Sequence, residues 1–380
     1  MGPTSNQYPD ITRWNTATQV KVTLMRISFK NNNFDLLRLF AASQVMVEHA
    51  LWHLDVHVQP WVNKIIFAFP GVPIFFVISG FLISASYERT ADIKNYAFNR
   101  ILRIYPGLWC CLVVTVAFYA ILGVNFLNRQ TPIWFGSQLV GLIYTPQFMK
   151  HFGFGSYNGS LWSIPVELQF YLLLPVLYRL CRITEGRKTY LVTVWTVFVC
   201  LAMAYRQLFP PVDGPQSAAI FQKVFGYSFF PYFYLFLTGV LLQRLEAYGA
   251  RCISGKGFFW ALTYLAAYYL LPSSSVSYIA VNLLLAVTTI SFAYTGPSIS
   301  HKLLKGTDVS YGVYIYHALL VNAFLVIGLT RHVTYVILLS IGIYFIAYLS
   351  WIVVERPCLK RKKQTISPDL VISTGKHSGE

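Results

Sequence analysis

The stretch LLRLFAASQVMVEHALWHL, residues 36–54, is apolar enough for a membrane helix yet carries Arg38, Glu48, His49 and His53. His49 follows Arg38 by 11 residues, close to three full helical turns, so both side chains point the same way. Roughly 16 Å separates them along the axis. Asp35 stands one turn before Arg38, and His53 one turn after His49. One stripe of this helix is therefore polar from its start to well past the midplane. Ionisable groups at such depth are costly, and they line cavities or pathways. The structural alternative is a snorkelling arginine at the helix end and a hydrogen-bonded packing histidine deeper in. Glu48 points about 100° away from His49 and reads as a packing or interfacial group.

The elements that must position these groups follow from composition. Of 380 residues, 56% are hydrophobic and only 12% charged, about half the charge fraction of ordinary soluble domains. Mean hydropathy is +0.52, and aromatics reach 17%, as suits rings at membrane interfaces and in a packed bundle. Apolar segments near the length needed to cross a bilayer recur over residues 34–54, 66–86, 107–126, 161–180, 189–207, 229–244, 258–272, 277–295, 309–329 and 334–354. Residues 134–148 are apolar but interrupted and read as re-entrant or interfacial. The expected fold is an all-α polytopic membrane bundle of about ten spans with both termini cytosolic.

Lysine and arginine orient it. With the N-terminus in the cytosol, 23 of the 30 basic residues fall inside and 6 outside, with Arg38 at a helix end. That is a positive-inside pattern, which a full crossing by 134–148 would destroy. The net charge of +16 is then mostly topology and contact with anionic lipid. Nucleic-acid binding is the weaker reading, because no basic domain stands apart. Residues 1–33 show no signal-peptide pattern and read as a cytosolic tail. The six cysteines lack CxxC spacing and the histidines are scattered, so no metal site is expected. No phosphate-loop or dinucleotide fingerprint appears.

A set of short motifs follows Arg38-x10-His49 in order: FFVISGFLIS (75–84), RILR (100–103), SLWSIPVELQFYLLLP (160–175), SYGVYIYH (310–317) and ERP (355–357). Together they resemble the integral-membrane acyltransferase-3 family over about residues 34–357, leaving 358–380 as a basic, polar tail. Lacking an appended SGNH esterase-like domain, the chain looks like the stand-alone type. The resemblance implies an enzyme that moves an acyl group, usually acetyl, from cytosolic acyl-coenzyme A to a hydroxyl. The acceptor is a glycan such as O-antigen, exopolysaccharide or peptidoglycan, or a small molecule. It also implies a multi-pass protein of the bacterial inner membrane, with acetyl-coenzyme A as donor and no metal. The same family with another acyl group such as succinyl stays open. So does a transporter or flippase, although a donor-type arginine motif has no role there. Oligomeric state is not readable.

Within that frame the residues take roles. A sugar hydroxyl is a poor nucleophile and needs a base; His49 matches the family histidine and titrates nearest neutrality. Direct transfer and a two-step route through an acyl-enzyme both stay open. Glu167 begins the span entered at SLWSIPVEL and is the second catalytic candidate. A carboxylate there could orient His49, stabilise its protonated form or bind the acceptor; the alternative is a helix-start glutamate favoured by the dipole. Ser160, Ser163 and Glu167 share a face. Arg100 and Arg103, three apart on a short helix expected to end at Pro106, suit the coenzyme's phosphates, with Arg38 at the diphosphate end. A positive-inside loop is the plain alternative for that pair. Ser79 and Gly80 give a hydroxyl and a close backbone approach for the thin pantetheine arm, or else small-residue helix packing. Ser310, Tyr314 and His317 form one polar face, lining the coenzyme channel or a packing network.

Overall fold

A computed structural model describes residue 29 and residues 31–90, 92–181, 188–209 and 225–362. Most of the N-terminal and C-terminal tails expected from the sequence lies outside these residues. Among the described residues the chain is helical throughout. The helices are α1 (Phe34–His53), α2 (Pro60–Ala68), α3 (Gly71–Thr90), α4 (Ile93–Ile121), α5 (Thr131–Leu139), α6 (Ser163–Leu180) and α7 (Lys188–Leu208). They continue as α8 (Phe233–Arg244), α9 (Gly257–Leu270), α10 (Ser275–Ala293), α11 (Ile299–Leu304), α12 (Ser310–Val326), α13 (Val333–Ser350) and α14 (Arg356–Leu359). Among the described residues six helical stretches are long and apolar enough to cross a membrane, and α8 and α12 are shorter apolar helices. Each of the ten expected spans falls on a helix. The protein is a polytopic membrane bundle.

Helix α1 runs 20 residues without Gly or Pro, with Asp35 in its first turn and His53 in its last, as the helix dipole favours. It packs on α12 and α3, and α12 packs on α13. The start of α1 is stapled through Asn33, whose amide donates to Thr295 O at 2.8 Å and whose Oδ1 accepts from Ser300 N at 2.9 Å. The far end meets the loop before α13, where Arg331 N donates to Leu54 O at 2.8 Å and Arg331 Nε pairs with Asp55 at 3.1 Å. The bundle thus has an arginine end, where α1, α4 and α12 begin, and a histidine end, where α1 and α4 finish.

Helices α3 and α8 pack most closely. A Cβ on Gly80 would sit 1.9 Å from Phe236 O, and one on Gly239 would sit 2.1 Å from Val77 O. Only a residue without a side chain lets the two backbones approach this far. Gly80 therefore serves helix packing, and the room beside it is taken by α8. Gly80→Ala should cost about 1–3 kcal/mol by overpacking. A lowered thermal midpoint in detergent checks this, and coenzyme A affinity should be retained.

The helix carrying Arg100 and Arg103 does not end at Pro106. α4 continues through it to Ile121, for 29 residues in all. Proline removes one backbone donor, but a neighbouring helix takes up freed carbonyls in a packed bundle. Pro106 takes the donor from the Leu102 carbonyl alone, and α12 packs against this stretch, where the Tyr311 hydroxyl donates to Ile104 O at 2.8 Å. The two arginines accordingly ride on the first turns of a rigid span. Residues 134–148 do not cross: α5 has nine residues, too short for a hydrocarbon core about 30 Å thick. It dips alongside α4, where Tyr105 donates to Val140 O at 3.2 Å and Trp109 to Leu139 O at 2.9 Å. The chain then returns to the histidine end, where the Tyr119 hydroxyl on α4 donates to Tyr157 O at 3.1 Å.

Candidate active site

Polar side chains gather at two depths. At the arginine end, Arg38 from α1 and Arg103 from α4 converge on Asp308, just before α12, at 3.7 Å and 2.7 Å. Asp308 also accepts from the backbone and hydroxyl of Ser310. Burial alone would raise the Asp308 carboxyl, but the Arg103 and Arg38 guanidiniums outweigh it and hold it below the usual carboxylate range. Arg100 lies over the Tyr171 ring at 5.8 Å and Arg103 over Tyr311 at 6.0 Å. The Nε of Arg100 is buried with no hydrogen-bond partner among the described residues. Lys362 follows α14, which packs on α4. Burial and the guanidiniums of Arg103, Arg100 and Arg38 push its ammonium down to about 7.

A narrow cavity of about 90 Å³ leads inward from these cations, past Ser79 and Glu167, to Ser163 and Tyr314. Glu167 accepts from Ser79 Oγ at 2.7 Å and from the Tyr171 hydroxyl. Its hydrogen bonds therefore go to the cavity wall and not to His49. At the cavity's inner end Ser163 Oγ and Tyr314 OH lie 2.7 Å apart, and Tyr314 OH donates to Ser160 O at 2.7 Å.

Beyond Tyr314 lie the histidines. His49 Nδ1 is 3.0 Å from His317 Nε2. Ser160 Oγ bridges them, 3.2 Å from His49 Nδ1 and 2.7 Å from His317 Nε2. His317 is fully buried, and its Nδ1 lies 2.7 Å from Tyr314 O. A carbonyl only accepts, so His317 carries its proton on Nδ1 and presents a lone pair at Nε2. Two lone pairs 3.0 Å apart would repel, so His49 holds its proton on Nδ1. That assignment leaves His49 Nε2 unprotonated, as a base requires. His53 stacks on Phe154 with ring centroids 4.0 Å apart and sits edge-on to His49. Glu48 turns away and accepts from Gln44 at 2.7 Å.

The structure thus joins Arg38, Arg100, Arg103, Ser79, Glu167 and Tyr314 along one cavity. It sets His49 and His317 together just past its end, and leaves Gly80 to packing. His317 does not line the cavity; it holds His49. Sequence reasoning missed Asp308, whose spacing to Ser310 resembles a helix-start signal but whose pairing spans 205 residues to Arg103. It also counted Lys362 only as a tail charge, and did not foresee Ser160 between the histidines.

A sequence model of the acyltransferase domain, acyltransferase-3, matches residues 31–354. The chain belongs to the acyltransferase-3 family. It is 32% identical over 370 residues to nodulation protein 10 of Rhizobium leguminosarum bv. viciae, covering 90% of this chain and 97% of that protein. It is 28% identical over 379 residues to the O-acetyl transferase of Shigella phage Sf6, covering 90% and 99%. A putative peptidoglycan O-acetyltransferase of Bacillus subtilis, YrhL, shares 25% identity over 193 residues, 48% of this chain and 29% of that protein. No solved structure matches. As an acyltransferase-3 member, the chain is a multi-pass membrane enzyme that transfers acyl groups.

Proposed function

We propose that the enzyme takes an acyl group, acetyl in the first instance, from acyl-coenzyme A on the cytosolic side and O-acylates a cell-surface glycan from the other side of a bacterial inner membrane. The observation that carries this reading is the alignment of a buried cation cluster, a narrow cavity leading inward from it, and, just past the cavity's end, a histidine whose free lone pair is set by its neighbours. The O-acetyltransferase names of two relatives support acetyl and a hydroxyl acceptor. The positive-inside charge pattern supports the cytosolic side for the arginine end.

Arg100, with an unpartnered buried N–H, and Arg38, Arg103 and Lys362 beside it, suit the coenzyme's diphosphate and 3′-phosphate. The pantetheine arm follows the cavity. His49 Nε2 removes the acceptor hydroxyl's proton as its oxygen attacks the thioester carbonyl. The C–S bond breaks, the ester forms, and the coenzyme thiolate takes the proton back from the imidazolium. His317 and Ser160 steady that imidazolium through the Nδ1–H of His49, and the Tyr314 carbonyl fixes the His317 tautomer. Glu167 acts on the donor side, holding Ser79 and Tyr171 along the path.

Mass spectrometry of the surface glycan from cells with and without the gene, fed isotope-labelled acetate, tests the reading. Label should appear as an ester on glycan only with the gene. Unaltered glycan, or glycan relocated without esterification, would overturn it, the second in favour of a transporter.

Lys362 adds a pH dependence. A bound phosphate raises the ammonium's pKa from about 7, so binding takes up a proton and donor affinity rises as pH falls through that value. The 3′-phosphate, with a second pKa of about 6, keeps most of its charge in this window. Calorimetric titration with coenzyme A across neutral pH should show this slope, and Lys362→Ala should flatten it. An unchanged slope in the variant would remove Lys362 from the donor site.

A further inference from the structure

A second, open cavity lies away from the donor path. It has a volume of about 670 Å³, and Arg206, Gln207, Tyr268, Ser273, Ser277 and Tyr278 contribute to its wall. These residues sit at the close of α7 and α9 and the start of α10, the histidine end of the bundle. Two hydrogen bonds link its surroundings to α1 through α2. Tyr269, next to Tyr268, donates to Lys64 O on α2 at 2.7 Å, and Gln44 on α1 donates to Ile66 O at 3.1 Å. The cavity therefore lies beside α2, and α10, whose start forms part of its wall, also packs on α1.

Its wall is unlike the lipid-facing surface. The Arg206 guanidinium carbon lies over the Tyr278 ring, 3.4 Å from its centroid. Among the described residues no carboxylate pairs with it. Tyr268 and Tyr278 are each more than a third exposed, at 38% and 39%. The serine hydroxyls and the Gln207 amide supply small donors and acceptors at several heights. Aromatic faces beside hydroxyl, amide and guanidinium groups recognise a polyhydroxylated ring, whose C–H faces pack on tyrosine while its hydroxyls bond outward.

We infer that this cavity is the acceptor's docking subsite, binding sugar residues of the glycan next to the one that is acylated; this rests on the glycan reading above. The acceptor chain is held beside α2 at the histidine end and reaches on to His49. Binding of remote sugars then lowers the acceptor KM without entering the chemical step.

Two experiments on the full chain in lipid nanodiscs test it. Ser273→Cys is labelled with a membrane-impermeant maleimide, with the unmodified protein as blank. The probes are neutral, N-acetylated and uronic-acid-containing tetrasaccharides, and sn-glycerol 3-phosphate as a lipid-headgroup mimic. At least one tetrasaccharide should slow labelling while the headgroup mimic does not. Labelling slowed by no tetrasaccharide, or equally by the headgroup mimic, overturns the assignment. Tyr278→Ala and Arg206→Gln should raise the acceptor KM about tenfold, as loss of a stacking or charge-assisted contact does. Their kcat at saturating acceptor and their coenzyme A affinity should be unchanged. If the unmodified protein acylates glycan and both variants keep its KM, the docking site fails alone. If the unmodified protein acylates no glycan, the glycan reading fails and takes the docking site with it.

Discussion

Replacing His49 with alanine should abolish acyl transfer while coenzyme A binding and the fold persist. The loss should be at least 10²–10⁴-fold, the range for removing a positioned general base. His49 lies beyond the end of the donor cavity and touches His317 and Ser160, so its removal leaves the cation cluster intact. His317→Ala should fall short of this. It removes the group that holds His49 in its tautomer but leaves the base itself, so kcat drops and its pH profile shifts. Steady-state transfer from radiolabelled acetyl-coenzyme A, paired with equilibrium coenzyme binding, separates the two. Near-normal transfer by His49→Ala would dismiss His49 as the base.

Arg103→Ala should act on both stability and donor affinity. Arg103 pairs with Asp308 at 2.7 Å, and the two side chains are only 18% and 10% exposed. Removing one partner of a buried pair leaves an uncompensated charge, which costs about 3–5 kcal/mol. Arg38, at 3.7 Å from Asp308, offsets part of that. The companion Arg103→Ala with Asp308→Asn removes both charges and should recover much of the thermal stability. Donor affinity in that double variant should still fall about ten- to hundredfold, as loss of a charge-assisted phosphate contact predicts. Arg100→Ala, at a position with no carboxylate partner among the described residues, should weaken donor binding without the stability loss. Wild-type coenzyme affinity in both would return these arginines to a topological role.

Much of this protein was legible along the chain because a bilayer makes simple demands. Every backbone polar group must be satisfied within a helix, so apolar length alone located the spans. Period 3.6 alone placed Arg38 and His49 on one stripe of α1, and Ser310, Tyr314 and His317 on one face of α12. The order of short motifs pointed to the acyltransferase-3 family. What the chain could not say is which faces meet. Ser160 and His317 are 157 residues apart, and Asp308 is 205 from Arg103. Local rules carry no information at that range. Pro106 signalled a stop that α4 ignores, because one missing donor costs less than breaking a span packed against α12. Glu167 seemed free to reach His49, yet one helical turn separates it from Ser163 at the cavity's inner end, and packing commits it to Ser79 and Tyr171. Sequence determined the spans and the candidate residues; tertiary packing decided their partners, because only the assembled bundle sets which lone pair faces which proton.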